Sequence, residues 1–244
     1  MPETEIVILK VGQADAIVLL SGDHAALIDT GEKEDGEEIV RFLSERGIRS
    51  LDLMIITHFD KDHVGGADTV LMGMRVRAVY DADYEPNSKQ YRTYSEAIKT
   101  TGVPRYRVRK DLLLEMGDLS FVLRPTALQD VSDNDRSLAV IVKDPWHRFF
   151  FAGDAEDARL NELIQAGLQN ADLIKMPHHG RFHYPLPEFL TALNAEIAII
   201  TDSRKNPAQD ETLILLREMG MEIFQTANGE IHIMSGNKGI TVFQ

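Results

Sequence analysis

Three short apolar runs that each end in metal-capable side chains constrain this chain more than any other feature. Leu53-Met-Ile-Ile56 runs straight into Thr57-His-Phe-Asp-Lys-Asp-His-Val-Gly-Gly66, Phe149-Phe-Phe-Ala-Gly-Asp154 ends on a carboxylate, and Leu173-Ile-Lys-Met-Pro-His-His-Gly180 ends on two histidines. Runs of this length and composition read as buried strands, and open α/β sheets gather their ligands at the carboxyl ends of such strands. A single polar cluster arises by chance on many loops. Three buried strands that all deliver His or Asp at the same end point to one multi-ligand site.

Spacing sharpens the first cluster. His58, Asp60 and Asp62 alternate along an extended segment, so their side chains can converge, and His63 turns toward a second ion about 3.5–4 Å from the first. The chain has no cysteine among its 244 residues, so thiolate nucleophiles, disulfides and sulfur-held zinc are excluded and only His, Asp and Glu remain as ligands. Asp60, Asp62 and Asp154 carry about three negative charges against four positive ones from two divalent ions, which leaves room for one bound hydroxide. Such a hydroxide forms near neutral pH and is the natural nucleophile, and the same ions stabilise charge on a phosphoryl or acyl centre. Hydrolysis is the expected chemistry.

The rest of the chain fits around these strands. Further strands are expected at 5–11, 16–20, 25–29, 119–124, 138–143, 148–152, 172–176, 196–201, 222–225, 231–234 and 240–243. Helices are expected at about 36–46, 88–101, 155–166, 186–193 and 210–219. Two groups of strands with helices between them predict an α/β (α+β) protein built as an αββα sandwich, two mixed sheets with outer helices. No linker or low-complexity tract divides it, so residues 1–244 read as a single domain.

Charge has a local structure. The formal net charge is −13, which disfavours a general nucleic-acid coat because a phosphate backbone repels the chain as a whole. Yet residues 75–110 hold nine basic side chains against four acidic ones, together with five of the six tyrosines. Basic side chains interleaved with aromatics suit a phosphate-bearing, stackable partner. The blander alternative is a solvated helix followed by a half-buried strand whose Arg105, Arg107 and Arg109 alternate on an outward face. No basic stretch precedes an apolar one at the start, and no run of about 18 uncharged apolar residues occurs. The expectation is a cytoplasmic protein with no membrane partner.

Thr57–Gly66 resembles the metal motif of metallo-β-lactamase-fold hydrolases, in the variant with Asp where most members have the second His. With Val11-Gly-Gln-Ala-Asp15, Leu27-Ile-Asp-Thr-Gly31, Asn134-x-x-Ser137-Leu138, Ala152-Gly-Asp154 and Lys175-Met-Pro-His-His-Gly180, the chain is similar over nearly its whole length to the soluble domain of the ComEC competence proteins and their stand-alone relatives. The resemblance implies that His58 and Asp60 serve one ion, that Asp62 and His63 serve the other, and that Asp154 bridges them. It also implies that a histidine of the pair His178 and His179 completes the second site. Position 178 comes first after the strand and is the preferred of the two, although the residues themselves leave both open. Asp29 is implied to stand behind the metals as support, with a strand-ending turn aspartate as its plainer reading.

The family's usual third histidine is absent, with Asn134 near its place. Oxygen-rich ligation of this kind moves preference from Zn toward Mn or Mg. The chain departs from its relatives at Ala14, where Gly is usual, at Arg181, where Ser is usual, and at Asn206, where a histidine is often found. These changes bear on substrate more than on metal.

The expected function is a dinuclear metal-dependent hydrolase holding two divalent metal ions, Zn or Mn. Its expected substrate is a phosphoester, with a phosphodiesterase or nuclease-like activity on a small substrate or a short nucleic acid, and Asp62 and His183 as catalytic candidates. Arg181, Tyr184, Arg105 and Arg107 are candidate substrate contacts. Lactone, thioester or other acyl hydrolysis on the same centre and a non-catalytic metal-binding regulatory role are the alternatives. His24, His147 and His232 are read as structural, Ser137 as orienting its strand, and Trp146 as part of a hairpin turn.

Overall fold

The computed structural model describes residues 4–244. The first half opens with an antiparallel meander, β1 (Thr4–Ile8), β2 (Ile17–Ser21) and β3 (His24–Ile28), followed by α1 (Asp35–Glu45) and β4 (Ser50–Leu51). Then come β5 (Leu53–Ile56), α2 (Lys61–Val64), α3 (Ala67–Gly73), β6 (Arg75–Val76), β7 (Val79–Ala82), α4 (Lys89–Thr101) and β8 (Arg105–Val108). The second half is β9 (Leu112–Met116), β10 (Leu119–Arg124), β11 (Ala139–Lys143), β12 (Arg148–Phe151), α5 (Asp157–Gln165), β13 (Leu173–Lys175), α6 (Leu186–Leu193), β14 (Ile197–Ile200), α7 (Asp210–Glu218) and β15 (Glu222–Gln225). The closing hairpin, β16 (Ile231–Gly236) and β17 (Gly239–Phe243), returns to the first sheet.

Two mixed sheets result, an eight-stranded one ordered β17-β16-β1-β2-β3-β5-β7-β8 and a seven-stranded one ordered β15-β14-β13-β12-β11-β10-β9. They are the central layers of the expected αββα sandwich. Period-2 alternation explains how three consecutive phenylalanines all bury: Phe149 and Phe151 join the core that spans both sheets, and Phe150 faces the outer helices, edge-on to Phe189 of α6. β3, β5 and β7 run parallel, as do β12, β13, β14 and β15. Their carboxyl ends therefore open on one edge of the sandwich, where the loops carrying Asp29, His58, Asp154, His179 and Thr201 begin.

Trp146 lies in the β11–β12 turn, where Asp144 Oδ1 accepts from the backbone N–H groups of Trp146 and His147. The segment 75–110 holds more sheet than expected, because β7 forms there and pairs in parallel with both β5 and β8. The outward arginine face is corrected as well. Arg105 is largely buried, its Nε donates to Asp81 at 2.6 Å, and its guanidinium lies 5.1 Å from the Tyr94 ring centre and 5.5 Å from that of Tyr91. Among the described residues, no helix is long and apolar enough to cross a membrane.

Candidate metal centre

Four side chains from three loops meet at the open edge: Asp62, His63, Asp154 and His179, with donor atoms all within 4.8 Å of one another. His63 Nε2 lies 3.1 Å from Asp154 Oδ1, and His179 Nε2 lies 3.4 Å from Asp62 Oδ2 and 3.3 Å from Asp154 Oδ2. His58 joins them from beneath, its ring centre 4.0 Å from that of His63.

The backbone explains why these groups converge. After β5 the chain turns at once into α2, with His63 N and Val64 N donating to Asp60 O. Gly65 and Gly66 follow because nothing larger fits. A Cβ at Gly66 would stand 2.4 Å from the Thr30 carbonyl, and one at Gly65 would stand 2.7 Å from Lys33 N. Asp29, His178 and His179 all adopt left-handed backbone, at φ 58°, 47° and 54°. Left-handed conformations cost free energy for non-glycine residues and persist where surrounding bonds over-determine them. Here they place Asp29 behind His63 and turn His179 into the cluster.

Hydrogen bonds fix the orientation of every imidazole in the cluster. His63 Nδ1 donates to Asp29 Oδ2 at 2.8 Å, and Asp29 also accepts from Thr57 N and Thr57 Oγ1 at 2.8 and 2.7 Å. Thr57 Oγ1 lies 3.2 Å from His58 Nδ1 and, with its own proton on Asp29, accepts there. His179 Nδ1 donates to Thr201, whose hydroxyl in turn donates to Asp15 at 2.7 Å. Each network holds the Nδ1 proton, which frees Nε2 as the ligand atom.

The outcome is a set of unmet atoms. His58 Nε2, His63 Nε2, His179 Nε2 and Asp154 Oδ1 are buried without a hydrogen-bond partner. Buried polar atoms are costly to leave unpaired. Those of His63, His179 and Asp154 converge with Asp62, and the imidazole and carboxylate chemistry fits a divalent cation.

Charges without the ion tell the same story. Burial favours neutral Asp154, yet His179 and His63 hold its carboxyl well below the usual carboxylate range. Burial opposes a proton on His179, but Asp154 and Asp62 raise its pKa to about 9, and Asp154, Asp29 and Asp15 raise that of His63. Two protons thus balance the carboxylates where a metal otherwise would. Burial and the neighbouring His63 push His58 down to about 3. Asp60 is different: burial and Asp62 raise its pKa, it is only half-buried, and it stands outside the four-residue cluster.

Several sequence expectations need placing. The preference for His178 within its pair is corrected, because the second left-handed residue swings His179 into the cluster. His178 instead stacks on His183 at 5.4 Å, with Nδ1 3.2 Å from His183 Nε2 and 3.4 Å from Glu156 Oε1. His183 Nδ1 sits 3.3 Å from Asp157 Oδ1. Asn134 donates to Glu156 Oε1 at 2.9 Å, so it braces the His178 side rather than the four-residue cluster. Ser137 Oγ accepts from Asp154 N and orients that strand end. Tyr184 is almost fully exposed and Arg181 is exposed at the rim.

Arg105 and Arg107 do not line the cluster as substrate contacts. Arg105 is held by Asp81, and Arg107 pairs with Glu85 and hydrogen-bonds Tyr91. Their neighbouring tyrosines pack on Phe59, the residue between His58 and Asp60: Tyr84 at 4.9 Å, Tyr91 at 4.8 Å and Tyr94 at 5.9 Å between ring centres. Much of the tyrosine-rich segment thereby buttresses the His58–Asp60 loop from outside.

Sequence reasoning gave no role to the buried ion pair behind the cluster. Lys175 is fully buried, salt-bridged to Asp15, and its Nζ lies 3.8 Å from Asp154 Oδ1. Burial opposes its charge, but Asp15 and Asp154 raise its pKa. A lysine ending an otherwise apolar strand was the available signal, since buried lysines require partners.

Comparisons with known proteins agree with this geometry. The family model of the metallo-beta-lactamase superfamily matches residues 9–213. The chain is similar to the ComE operon protein 3 of Bacillus subtilis (strain 168), 29% identical over 263 residues covering 97% of this chain and 34% of that protein. It is also similar to recombination protein 2 of Haemophilus influenzae, 27% identical over 212 residues covering 84% of this chain and 25% of that protein. The chain thus spans about a third or less of the length of these curated relatives. Among solved structures, the metallo-beta-lactamase fold protein YhfI from Bacillus subtilis superposes with a TM-score of 0.69 at 14% identity, covering 96% of this chain and 100% of that one. A diphosphatase from the PhnP family gives 0.55 at 16% identity, covering 91% and 94%. Zn2+-bound PqqB from Methylobacterium extorquens gives 0.59 at 12% identity, covering 91% and 97%. At these identities the likeness speaks for the fold.

Proposed function

The chain belongs to the metallo-beta-lactamase superfamily, and from that premise we propose that it is a dinuclear metal-dependent hydrolase of phosphodiesters. The observation that carries the reading is the set of four buried, unpaired donor atoms on His58, His63, His179 and Asp154. Asp62, His63, Asp154 and His179 would hold one ion, and His58 and Asp60 would serve the other together with Asp154. Divalent ions at such a centre lower the pKa of water and offset charge that builds on a phosphoryl group. Carboxylate-rich ligation of the first site favours Mn or Mg beside Zn.

The protein's own groups do the remaining work. Asp29 and Thr201 hold Nδ1 of His63 and His179 and so aim each Nε2 at the centre, and Lys175 offsets the carboxylate charge from behind. His183, whose ring nitrogens contact Asp157 and His178 at the mouth, is the candidate proton donor to the leaving oxygen once substrate displaces its His178 contact. That the fold houses a diphosphatase elsewhere supports the phosphoester reading.

Hydrolysis of bis-p-nitrophenyl phosphate and of single-stranded DNA is the test, with Mn2+ or Zn2+ added to the wild type and to the Asp62→Ala, His63→Ala double variant. Metal-dependent turnover that the variant loses is the expected result. Absence of metal-dependent turnover on any phosphoester overturns it. Faster turnover of lactones or thioesters points to the acyl alternative, and one ion or none with silent assays points to a regulatory protein.

A further inference from the structure

A cleft of about 330 Å3 is lined by Asp83, Tyr84, Arg109, Arg136 and the loop 125–129. It is separate from the four-residue cluster, yet both of its walls are tied to the metal loops. On one side, Tyr84 accepts a hydrogen bond from Phe59 N at 3.1 Å, between His58 and Asp60. On the other, Arg136 immediately precedes Ser137, whose hydroxyl holds Asp154 N.

The charge inside the cleft is unusual for this chain. The basic side chains around it are spoken for: Arg105 by Asp81, Arg107 by Glu85, Arg124 by Asp111 and Arg159 by Glu162. Arg136 is half-buried and, among the described residues, its guanidinium has neither an ion pair nor a side-chain hydrogen bond. It rests 5.3 Å from the centre of the Tyr84 ring. A guanidinium held over an aromatic ring and left without a carboxylate presents its donor fork to a ligand. Arg109, though bonded to Asp83 at 2.9 Å, adds a second cation at the rim. Val108, Pro125 and Leu128 supply apolar wall between these polar groups.

Size and chemistry point to one kind of occupant. A volume near 300 Å3 is at the small end of ligand pockets, and the cleft combines the unpaired Arg136 and the Arg109–Asp83 pair with the apolar Val108, Pro125 and Leu128. We propose that this cleft binds the nucleotide neighbouring the scissile bond, with Arg136 taking the non-reacting phosphate. The proposal rests on the phosphodiesterase reading and adds its substrate class, a polynucleotide or dinucleotide rather than an isolated phosphoester. It also moves phosphate recognition away from Arg105 and Arg107, whose charges are neutralised within the fold.

The test separates this proposal from the phosphodiesterase reading by using ligands that contain no phosphodiester. Thymidine 3′,5′-bisphosphate and thymidine 5′-monophosphate are titrated calorimetrically into the Mn2+-loaded protein. With one phosphate at the ions and the other on Arg136, the bisphosphate binds about tenfold more tightly, as one charge-assisted contact allows. Arg136→Ala removes that preference, whereas Arg41→Ala, which deletes an equal charge on the exposed face of α1, retains it. Ala127→Trp, which fills the cleft from an exposed loop position, weakens the bisphosphate without touching Arg136. An unchanged preference in Arg136→Ala, or no binding of either nucleotide by the wild type, overturns the proposal. Hydrolysis of bis-p-nitrophenyl phosphate, measured on the same samples, reports separately on the phosphodiesterase reading.

Discussion

The two halves of the candidate metal centre are built to different standards. The half around His63, Asp154 and His179 is buried, and each ligand is held by a second residue: His63 by Asp29, His179 by Thr201, and Asp154 by Ser137 and the nearby Lys175. The half around Asp60 is open. Asp60 makes no side-chain hydrogen bond among the described residues and is only half-buried, and burial and Asp62 raise its pKa. Pre-organised ligands bind without the entropy cost of ordering them, whereas loosely held ones must be ordered by the ion itself. On the proposed dinuclear reading, one site would be prebuilt and the other would be completed by its metal.

The strongest way to break that contrast is to remove a ligand common to both halves. Asp154→Ala is expected to abolish retention of both ions after gel filtration and to lower phosphodiester turnover by about a thousandfold or more, read by metal analysis and initial rates. Retention of either ion at wild-type affinity would contradict the bridging role. Next in size is Lys175→Met, which leaves the buried Asp15 carboxylate without its lysine partner. It should destabilise the metal-free protein by about 3–5 kcal/mol in urea unfolding, and a change below about 1 kcal/mol would show that the ion pair is idle.

Asp29→Ala tests the support of the prebuilt half alone. A loss of roughly 10–100-fold in affinity for the tighter ion is expected, with the weaker one little changed. The pH dependence gives a smaller, graded effect of known sign. The folded-state pKa of His179 is about 9, above its unfolded value of about 6.5. Its proton thus stabilises the metal-free fold fully below pH 6.5, and that contribution is lost as pH rises through 9. Metal must displace the same proton, so affinity at the tighter site should rise about tenfold per pH unit for each proton released across this window. Smallest is Asp60→His, which should leave the tighter site alone and shift the weaker one from Mn2+ toward Zn2+ in competition titrations.

Much of this was legible in the sequence, for reasons that particular residues show. The apolar strands before His58, Asp154 and His179 are fully buried, and burial writes itself as uninterrupted hydrophobic runs. β7 was missed because its Asp81 interrupts the pattern; only the tertiary partners Arg105 and Tyr94 make that carboxylate tolerable. The choice between His178 and His179 depends on two left-handed backbone angles, which two adjacent histidines do not announce. The arginines at 105 and 107 misled for a related reason. Composition shows an excess of positive charge, but pairing with Asp81 and Glu85, decided by the fold, determines whether any of it is free.

The central claim is the inequality of the two metal sites, and a calorimetric titration of the metal-free protein with Mn2+ tests it most directly. Two transitions are predicted, the tighter one lost in His179→Ala and the weaker one lost in Asp60→Ala. A single transition of two equivalent ions, or a tighter site that survives His179→Ala, would contradict the account.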